Sequence, residues 1–300
     1  MVEDINIINL DTEESLALSM LTTPYYILDS VDWGTITATH HSYKFVNQIG
    51  VYVTGTSLGT RDITIIGWVI ASTEEEMDSR KDMLNKFINP QNSFRCEYKK
   101  YILDFLVNES VKYSTTSKEN NEVMCKFQIS GTCPDPLFRN NENKREEVAT
   151  YVPKFHFPLI ISESPNPPGG IIFAERTKSL FATVINEGSV STGFTIVFRA
   201  LGSVNTPYIQ DVNSLEFMRI NKTMKAGEEI TINTVIGSKS IVGGINGETS
   251  NYFKYKSVDS SWLQLKVGEN VFAYGAVQNT DSLEVLIYHT DKWLEVQECK

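Results

Sequence analysis

Residues 261–270 read Ser261-Trp262-Leu263-Gln264-Leu265-Lys266-Val267-Gly268-Glu269-Asn270, and Val271-Phe272-Ala273-Tyr274 follows without a break. Apolar residues alternate with polar ones into a Gly-centred turn, and a second alternating run begins at once. A comparable unit lies upstream: Leu215 to Ile220, then the turn Lys225-Ala226-Gly227-Glu228-Glu229, then Ile230-Thr231-Ile232-Asn233-Thr234. Short strands with turn signals about every eight to twelve residues, from Pro207 to Trp293, predict an antiparallel sandwich or jelly roll. Nothing in this half has the pattern of a nucleophile, a metal cage or a phosphate cradle. That turns the reading toward a binding or structural role.

Three hundred residues predict about two domains on a prior of roughly 100–200 residues each. A hydrophobic content of 41% is ordinary for a chain that buries a core. The formal charge of −10 speaks against a nucleic-acid clamp, which needs basic surface to displace counterions from phosphates. The same charge is compatible with an acidic passage along which DNA slides. The start, Met1-Val2-Glu3-Asp4, has no basic region followed by an apolar core, so no cleaved signal peptide is expected. The densest apolar run, Ile63 to Ala71, is too short to span a bilayer. A soluble protein made in the cytosol, with no membrane partner, is expected. Cys96, Cys125, Cys133 and Cys299 have no metal-ligand spacing. Cys125 alternates with Val123, Phe127 and Ile129, so free buried thiols are expected.

Charged and polar residues from Phe138 to Tyr151, and Pro165-Asn166-Pro167-Pro168-Gly169-Gly170 beyond, mark a boundary and a long loop. The predicted domains are 1–140 and 141–300. In the first, Arg61 to Ala71 carries apolar residues on both faces and predicts a strand covered on both sides. Gly67 within it predicts a bulge or a close backbone approach. Thr73-Glu74-Glu75-Glu76 is a capping box. Met77, Leu84, Phe87 and Ile88 form the buried stripe of a helix that stops at Asn89-Pro90. Tyr101–Val107 and Val123–Ile129 read as a long hairpin with its polar tip at Ser114–Asn121.

The candidate chemical groups have plainer explanations. His40 and His41 are sequence neighbours, so on a strand they point to opposite sides and share no metal. His156 and His289 stand alone and read as structural. Asp29 and Asp32 could serve as the paired carboxylates of a cell-wall glycosidase, against a turn role before Trp33-Gly34. Glu74 to Glu76 are explained by the helix start. Gly243-Gly244-Ile245-Asn246-Gly247 lacks the Lys and helix of a phosphate loop and reads as a hairpin turn. Asn108-Glu109-Ser110 and Asn221-Lys222-Thr223 match the glycosylation sequon but carry no weight without a secretory signal. Tyr252, Phe253, Tyr255, Trp262, Tyr274, Tyr288 and Trp293 crowd the second half. They either fill the sandwich core or, exposed together, make a carbohydrate-binding module for a host cell-wall saccharide.

Read end to end, the chain resembles the siphophage distal tail protein family. The resemblance rests on Gly59-Thr60-Arg61-Asp62-Ile63-Thr64-Ile65-Ile66-Gly67-Trp68 with the Glu-rich helix after it, and on Cys133-Pro134-Asp135-Pro136-Leu137-Phe138. Asn186-Glu187-Gly188 before the strand Phe194 to Ala200, the stretch Lys225 to Thr234 and the stretch Ser261 to Asn270 extend it. It implies a mainly β fold: a tail-tube-like β-sandwich with one helix and a long hairpin, then a galectin-like sandwich. It also implies a structural baseplate-hub protein at the virion tail tip that forms a homohexameric ring. The implied partners are the tail tube protein and the tail-tip or receptor-binding proteins, with DNA passing through the channel unbound. No catalytic residue, metal or cofactor is expected, and the channel wall should be neutral to acidic.

Overall fold

The computed structural model describes residues 4–19, 25–140, 144–147, 150–153, 174–177 and 181–296. Two compact units emerge, Met1–Asn141 with Trp293–Lys300, and Glu142–Lys292. The last eight residues, placed in the second domain by the sequence, therefore count with the first. His156, Cys299 and the Pro165–Gly170 loop lie outside the described residues.

The first unit contains β1 (Ile5–Asn9), β2 (Ser15–Leu18), β3 (Tyr26–Asp32), β4 (Ala38–Tyr43), β5 (Tyr52–Leu58), β6 (Arg61–Ile70), α1 (Glu74–Phe87), β7 (Ser93–Tyr98), β8 (Tyr101–Val107), β9 (Lys112–Tyr113), β10 (Met124–Cys133) and β11 (Phe138–Asn140). The main sheet runs β2-β1-β7-β8-β10-β6-β3, with β9 on β10 and β11 on β8. Strict alternation puts Ile5, Ile7, Ile63, Ile65, Phe127 and Ile129 on one face, where they form a core with Phe94 and Phe105. Helix α1 closes over that core through Met77 and Leu84. Its start is built as the sequence predicts: Thr73 Oγ1 accepts from Glu76 N at 3.3 Å, and Glu76 accepts from Ser72 N at 2.8 Å.

Gly67 is a close approach. A Cβ there would lie 2.6 Å from the Phe127 ring and 2.7 Å from the Ile27 carbonyl oxygen. The register of β3 against β6 skips Asp29 at this point, so the bulge sits on the partner strand. Strand β6 is covered less evenly than expected. One face (Ile63, Ile65, Val69) is buried, while Ile66, Trp68 and Ile70 on the other are half-exposed. Lys126 covers part of that second face, its Nζ 5.3 Å from the Trp68 ring centre. The long hairpin forms as expected, its first arm continuing from β8 into β9: β10 meets β8 at Gly131 and Thr132 and β9 at Phe127 and Gln128, Ser114 N donates to Lys126 O, and Asn120 bridges Cys125 at the polar tip. Strand β10 also pairs along its whole length with β6, and β8 with β7. Cys96, Cys125 and Cys133 are buried free thiols. Burial pushes all three pKa values up, that of Cys133 to about 12, so they stay protonated.

The second unit contains β12 (Lys144–Glu147), β13 (Thr150–Pro153), β14 (Ala174–Thr177), β15 (Phe181–Asn186), β16 (Phe194–Ala200), β17 (Val204–Asp211), β18 (Phe217–Arg219), β19 (Thr223–Met224), β20 (Glu228–Asn233), β21 (Ser240–Ile245), β22 (Ser250–Asn251), β23 (Gly268–Gln278) and β24 (Leu283–His289). A six-stranded sheet, β12-β24-β16-β20-β21-β22, supplies Ile196, Phe198, Ile230 and Ile232 to one core. A five-stranded sheet, β15-β23-β17-β18 with β19 on β17, supplies Val184, Ile209 and Phe272. This is the predicted sandwich; Phe194 and Phe272 meet with ring centres 5.3 Å apart. The last strand among the described residues is β25 (Lys292–Trp293), which pairs with β11.

One polar group is buried deliberately in this sandwich. Glu228 is 1% exposed and accepts from Lys222 Nζ (2.6 Å), Lys225 N (2.9 Å) and Tyr252 Oη (3.0 Å). Burial alone would raise its pKa, but these donors outweigh it and hold the carboxyl below its usual value. A depressed carboxylate contributes stability that is present above the unfolded-state pKa, about 4.3, and is lost as pH falls through the folded value. Glu228→Gln should therefore cost about 1–3 kcal/mol at neutral pH and flatten the acid limb of the second unit's stability curve. Thermal unfolding from pH 7 to 3 checks this, and an acid limb unchanged in the variant would refute it.

Candidate functional site

Strands β3 and β6 form a hairpin inside the sheet, with Asp32 opposite Thr64. Past that pair the two chain segments leave the sheet and continue as a separate ribbon, β4 against β5, in which Ala38 faces Leu58 and Tyr43 faces Tyr52. Every residue of both strands is exposed. Residues 38–58 are therefore a second hairpin of this domain, standing off its main sheet. Sequence periodicity misses it because Thr39-His40-His41-Ser42 and Thr54-Gly55-Thr56-Ser57 have no apolar face to read.

The root of this arm is held rigidly. Gly34 has φ +62°, and a Cβ there would lie 1.9 Å from the Asp62 carbonyl oxygen, so no other residue fits. Gly59 N donates to Thr37 O at 2.8 Å and closes the neck. Arg61 beside it is wholly buried. Its Nη1 donates to the carbonyls of Trp33 (3.0 Å) and Gly34 (3.1 Å), its Nε to that of Pro136 (2.8 Å), and its Nη2 to that of Leu294. The guanidinium also stacks over Phe138, 4.8 Å from the ring centre. A fork of donors in fixed geometry is suited to gathering several carbonyls.

Along the arm, short polar pairs replace a core: His40 Nδ1 with Thr56 Oγ1 at 2.9 Å, and His41 Nε2 with Ser57 Oγ at 3.0 Å. The tip is different. Tyr43 packs on Phe45 and Tyr52, with ring centres 4.8 and 5.2 Å apart. Val46 is 92% and Ile49 101% exposed, and Val51 and Val53 are exposed beside them. Asn47 and Gly50 take the positive φ values that turn the chain. Lys44 is the single charged residue between 38 and 58. An isolated two-stranded ribbon is at best marginally stable in water, and a contiguous exposed apolar patch marks an interaction surface. The arm has the form of a segment completed by a partner.

The other candidate groups are accounted for locally. Asp29 Oδ2 pairs with Lys126 Nζ at 3.2 Å, and Asp32 Oδ1 accepts from Gly34 N at 2.9 Å, the turn role read from sequence. Asn246 and Gly247 both have positive φ, as a tight hairpin turn requires. His289 is buried with its Nδ1 3.2 Å from Asp291 Oδ1. No group of three or more metal-ligating side chains occurs among the described residues. The aromatic residues divide: Tyr252 meets Tyr255 with ring centres 5.3 Å apart and the exposed Phe253 meets Trp262 at 5.9 Å, while others lie elsewhere. Tyr274 is buried in the sandwich, whereas Trp293 lies in the first unit's core, against Tyr101. Tyr252, Tyr255 and Trp262 are half-buried against the sandwich core.

Residues 26–133 match the family profile described as phage tail protein RIFT-related domain, and residues 187–293 match that described as siphovirus-type tail component, C-terminal domain. This chain belongs to the siphophage distal tail protein family. The crystal structure of the SPP1 Dit protein, presented as a paradigm of the hub adsorption apparatus in phages infecting Gram-positive bacteria, shares the fold. The TM-score is 0.64 at 14% identity, covering 96% of this chain and 98% of that one. A chain of the phage P2 baseplate in its activated, calcium-bound conformation aligns with TM-score 0.46 and 13% identity over 96% and 98%. No curated protein matches by sequence. As a distal tail protein the chain is a component of the virion tail tip, and no described helix is long and apolar enough to cross a membrane.

Proposed function

We propose that this distal tail protein is a non-enzymatic hub whose first domains close into a homohexameric ring. The ring joins the tail tube to the tail-tip and receptor-binding proteins and lets DNA pass. The observation that carries the reading is the 38–58 arm, a ribbon with an apolar tip whose strands are exposed along their whole length. A protruding element that fits a different surface on an identical copy makes a heterologous contact, and such contacts close into rings when the rotation permits. The number six rests on the family resemblance. The charge of −10 supports a neutral-to-acidic bore through which a duplex slides without multiple phosphate contacts. A structural role is supported further by Asp29 and Asp32, each engaged in its own local contact.

Multi-angle light scattering and electron microscopy of the full chain test this directly. Rings are expected for the unaltered protein. Phe45→Asp with Ile49→Asp should leave the thermal unfolding profile unchanged, since both side chains are exposed. It should weaken association by about 100-fold or more, because each apolar side chain contributes about 1.5–3 kcal/mol when buried. A monomer at every concentration of the unaltered protein would overturn the proposal.

A further inference from the structure

We infer that the second unit carries a binding site for a phosphate-bearing saccharide, built on Phe253 and Trp262 with Lys239 and Lys256. The inference does not depend on the ring. The Phe253 and Trp262 rings stand 5.9 Å apart and within 35° of parallel. Phe253 is 49% exposed, and Trp262 rests half-buried on the sandwich core. Two ammonium groups flank the indole, Lys239 Nζ at 5.4 Å and Lys256 Nζ at 5.8 Å from its ring centre. On the same turn Lys254 Nζ lies 5.0 Å from the Tyr255 ring.

The platform is held in place by the sandwich beneath it. Phe253 opens a single 3-10 turn, Phe253–Tyr255. The loop after it is pinned to β18: Ser257 N donates to Arg219 O at 3.0 Å, Ser261 N donates to Phe217 O at 2.9 Å, and Ser260 Oγ accepts from Arg219 N at 2.9 Å. Lys256 Nζ donates to the Ser260 carbonyl at 2.6 Å, which keeps its charge beside Trp262. Gln264 Nε2 donates to Thr234 O at 3.0 Å and ties the β20–β21 turn, which carries Lys239, to the segment that carries Trp262. Groups fixed in advance lose little freedom when a ligand arrives.

Charge names the ligand. Lys222 and Lys266 have carboxylate partners, Glu228 and Asp211, whereas Lys239, Lys254 and Lys256 have none among the described residues. Residues 219–266 contain seven Lys or Arg against four Asp or Glu, on a chain of net charge −10. A cationic patch on an acidic protein selects an anion. Lysine acts on phosphate as a point charge, while the planar carboxylate is matched best by the arginine fork, and no arginine flanks these two rings among the described residues. The negative face of an exposed aromatic ring attracts polarised C–H groups, and one face of a pyranose ring presents a row of them. A phosphate-substituted sugar supplies both features at once; an acidic peptide supplies only the charge.

Biolayer interferometry of the full chain on immobilised polymers tests this. Phosphomannan, a mannose polymer substituted with phosphate, should be bound, and mannan without phosphate, inorganic polyphosphate and polyglutamate should be bound far more weakly. Phe253→Ala should weaken phosphomannan binding about tenfold, the equivalent of the lower figure for burying one apolar side chain. Lys239→Gln should weaken it several-fold and make it less sensitive to salt. Both side chains are exposed, so the melting temperature should not move in either variant. Lys44→Gln, which removes an exposed charge from the first unit, should bind like the unaltered protein. Absence of phosphomannan binding, or binding unchanged by Phe253→Ala, would overturn the site. Equal binding of polyphosphate or polyglutamate would overturn it too, by reducing it to charge attraction alone. Each of these results leaves the ring reading where the light-scattering test puts it.

Discussion

Arg61→Met is expected to destabilise the first domain by about 4 kcal/mol, although the substitution nearly conserves volume. The side chain is 0% exposed, so its charge is compensated by the carbonyls of Trp33, Gly34, Pro136 and Leu294. A carboxylate nearby, Glu295, is 3.7 Å away and itself 65% exposed. Methionine fills the space but leaves four acceptors without their donor, at about 1–3 kcal/mol for each one that water cannot reach. Some carbonyls will find water, which brings the total down from the full sum. The first domain's melting temperature should fall by about 12 °C, taking roughly 3 °C per kcal/mol for a domain of this size. Because the same guanidinium fixes the arm's root, assembly should weaken as well. A shift below about 3 °C in differential scanning calorimetry would show that Arg61 is not the clamp the geometry makes it.

Trp293→Ala should destabilise the first domain by about 3–5 kcal/mol, the usual cost of emptying an aromatic site in a core. Trp293 is 4% exposed and belongs to the first unit's core. It stands edge-on to Tyr101 with ring centres 5.3 Å apart, and Lys100 covers it at 5.5 Å. The effect is unusual in its location, because the residue follows the whole second domain in the sequence. Hydrogen exchange followed by peptide should show protection lost in β7, β8 and β10 and retained in β16 and β20. The opposite distribution would return the C-terminal strand to the second domain.

Much of the architecture was legible because it is written locally. The capping box at Thr73 and the stripe of Met77 and Leu84 declared helix α1, since a helix satisfies its own backbone and shows its buried face at fixed spacing. Alternation around Ile230 and Phe272 declared sandwich strands for the same reason. The Asn246-Gly247 turn was readable from its demand for positive φ. Free buried thiols followed from the alternation around Cys125. The turn role of Asp32 followed from the Trp33-Gly34 step beside it.

Other features depend on contacts between distant residues, and no local pattern announces them. An arginine at a strand's start reads as surface; Arg61 is buried only because four carbonyls, from residues 33 to 294, converge on it. Alternation shows that β10 is a strand but not that it has two neighbours, the β8–β9 arm on one side and β6 on the other; packing of Phe127 against Gly67 accompanies the full-length pairing with β6. The arm was invisible because its stem, Thr39–Ser42 against Thr54–Ser57, is held by polar pairs and carries no apolar face. By itself the sequence determined most of the elements and the mainly β class, because short-range periodicity and turn chemistry encode them, and the order of its motifs carried the resemblance to the family. Only the tertiary structure decided which strands meet, that the C-terminal tryptophan returns to the first core, and that residues 38–58 stand free, because those outcomes depend on which distant surfaces exclude water together.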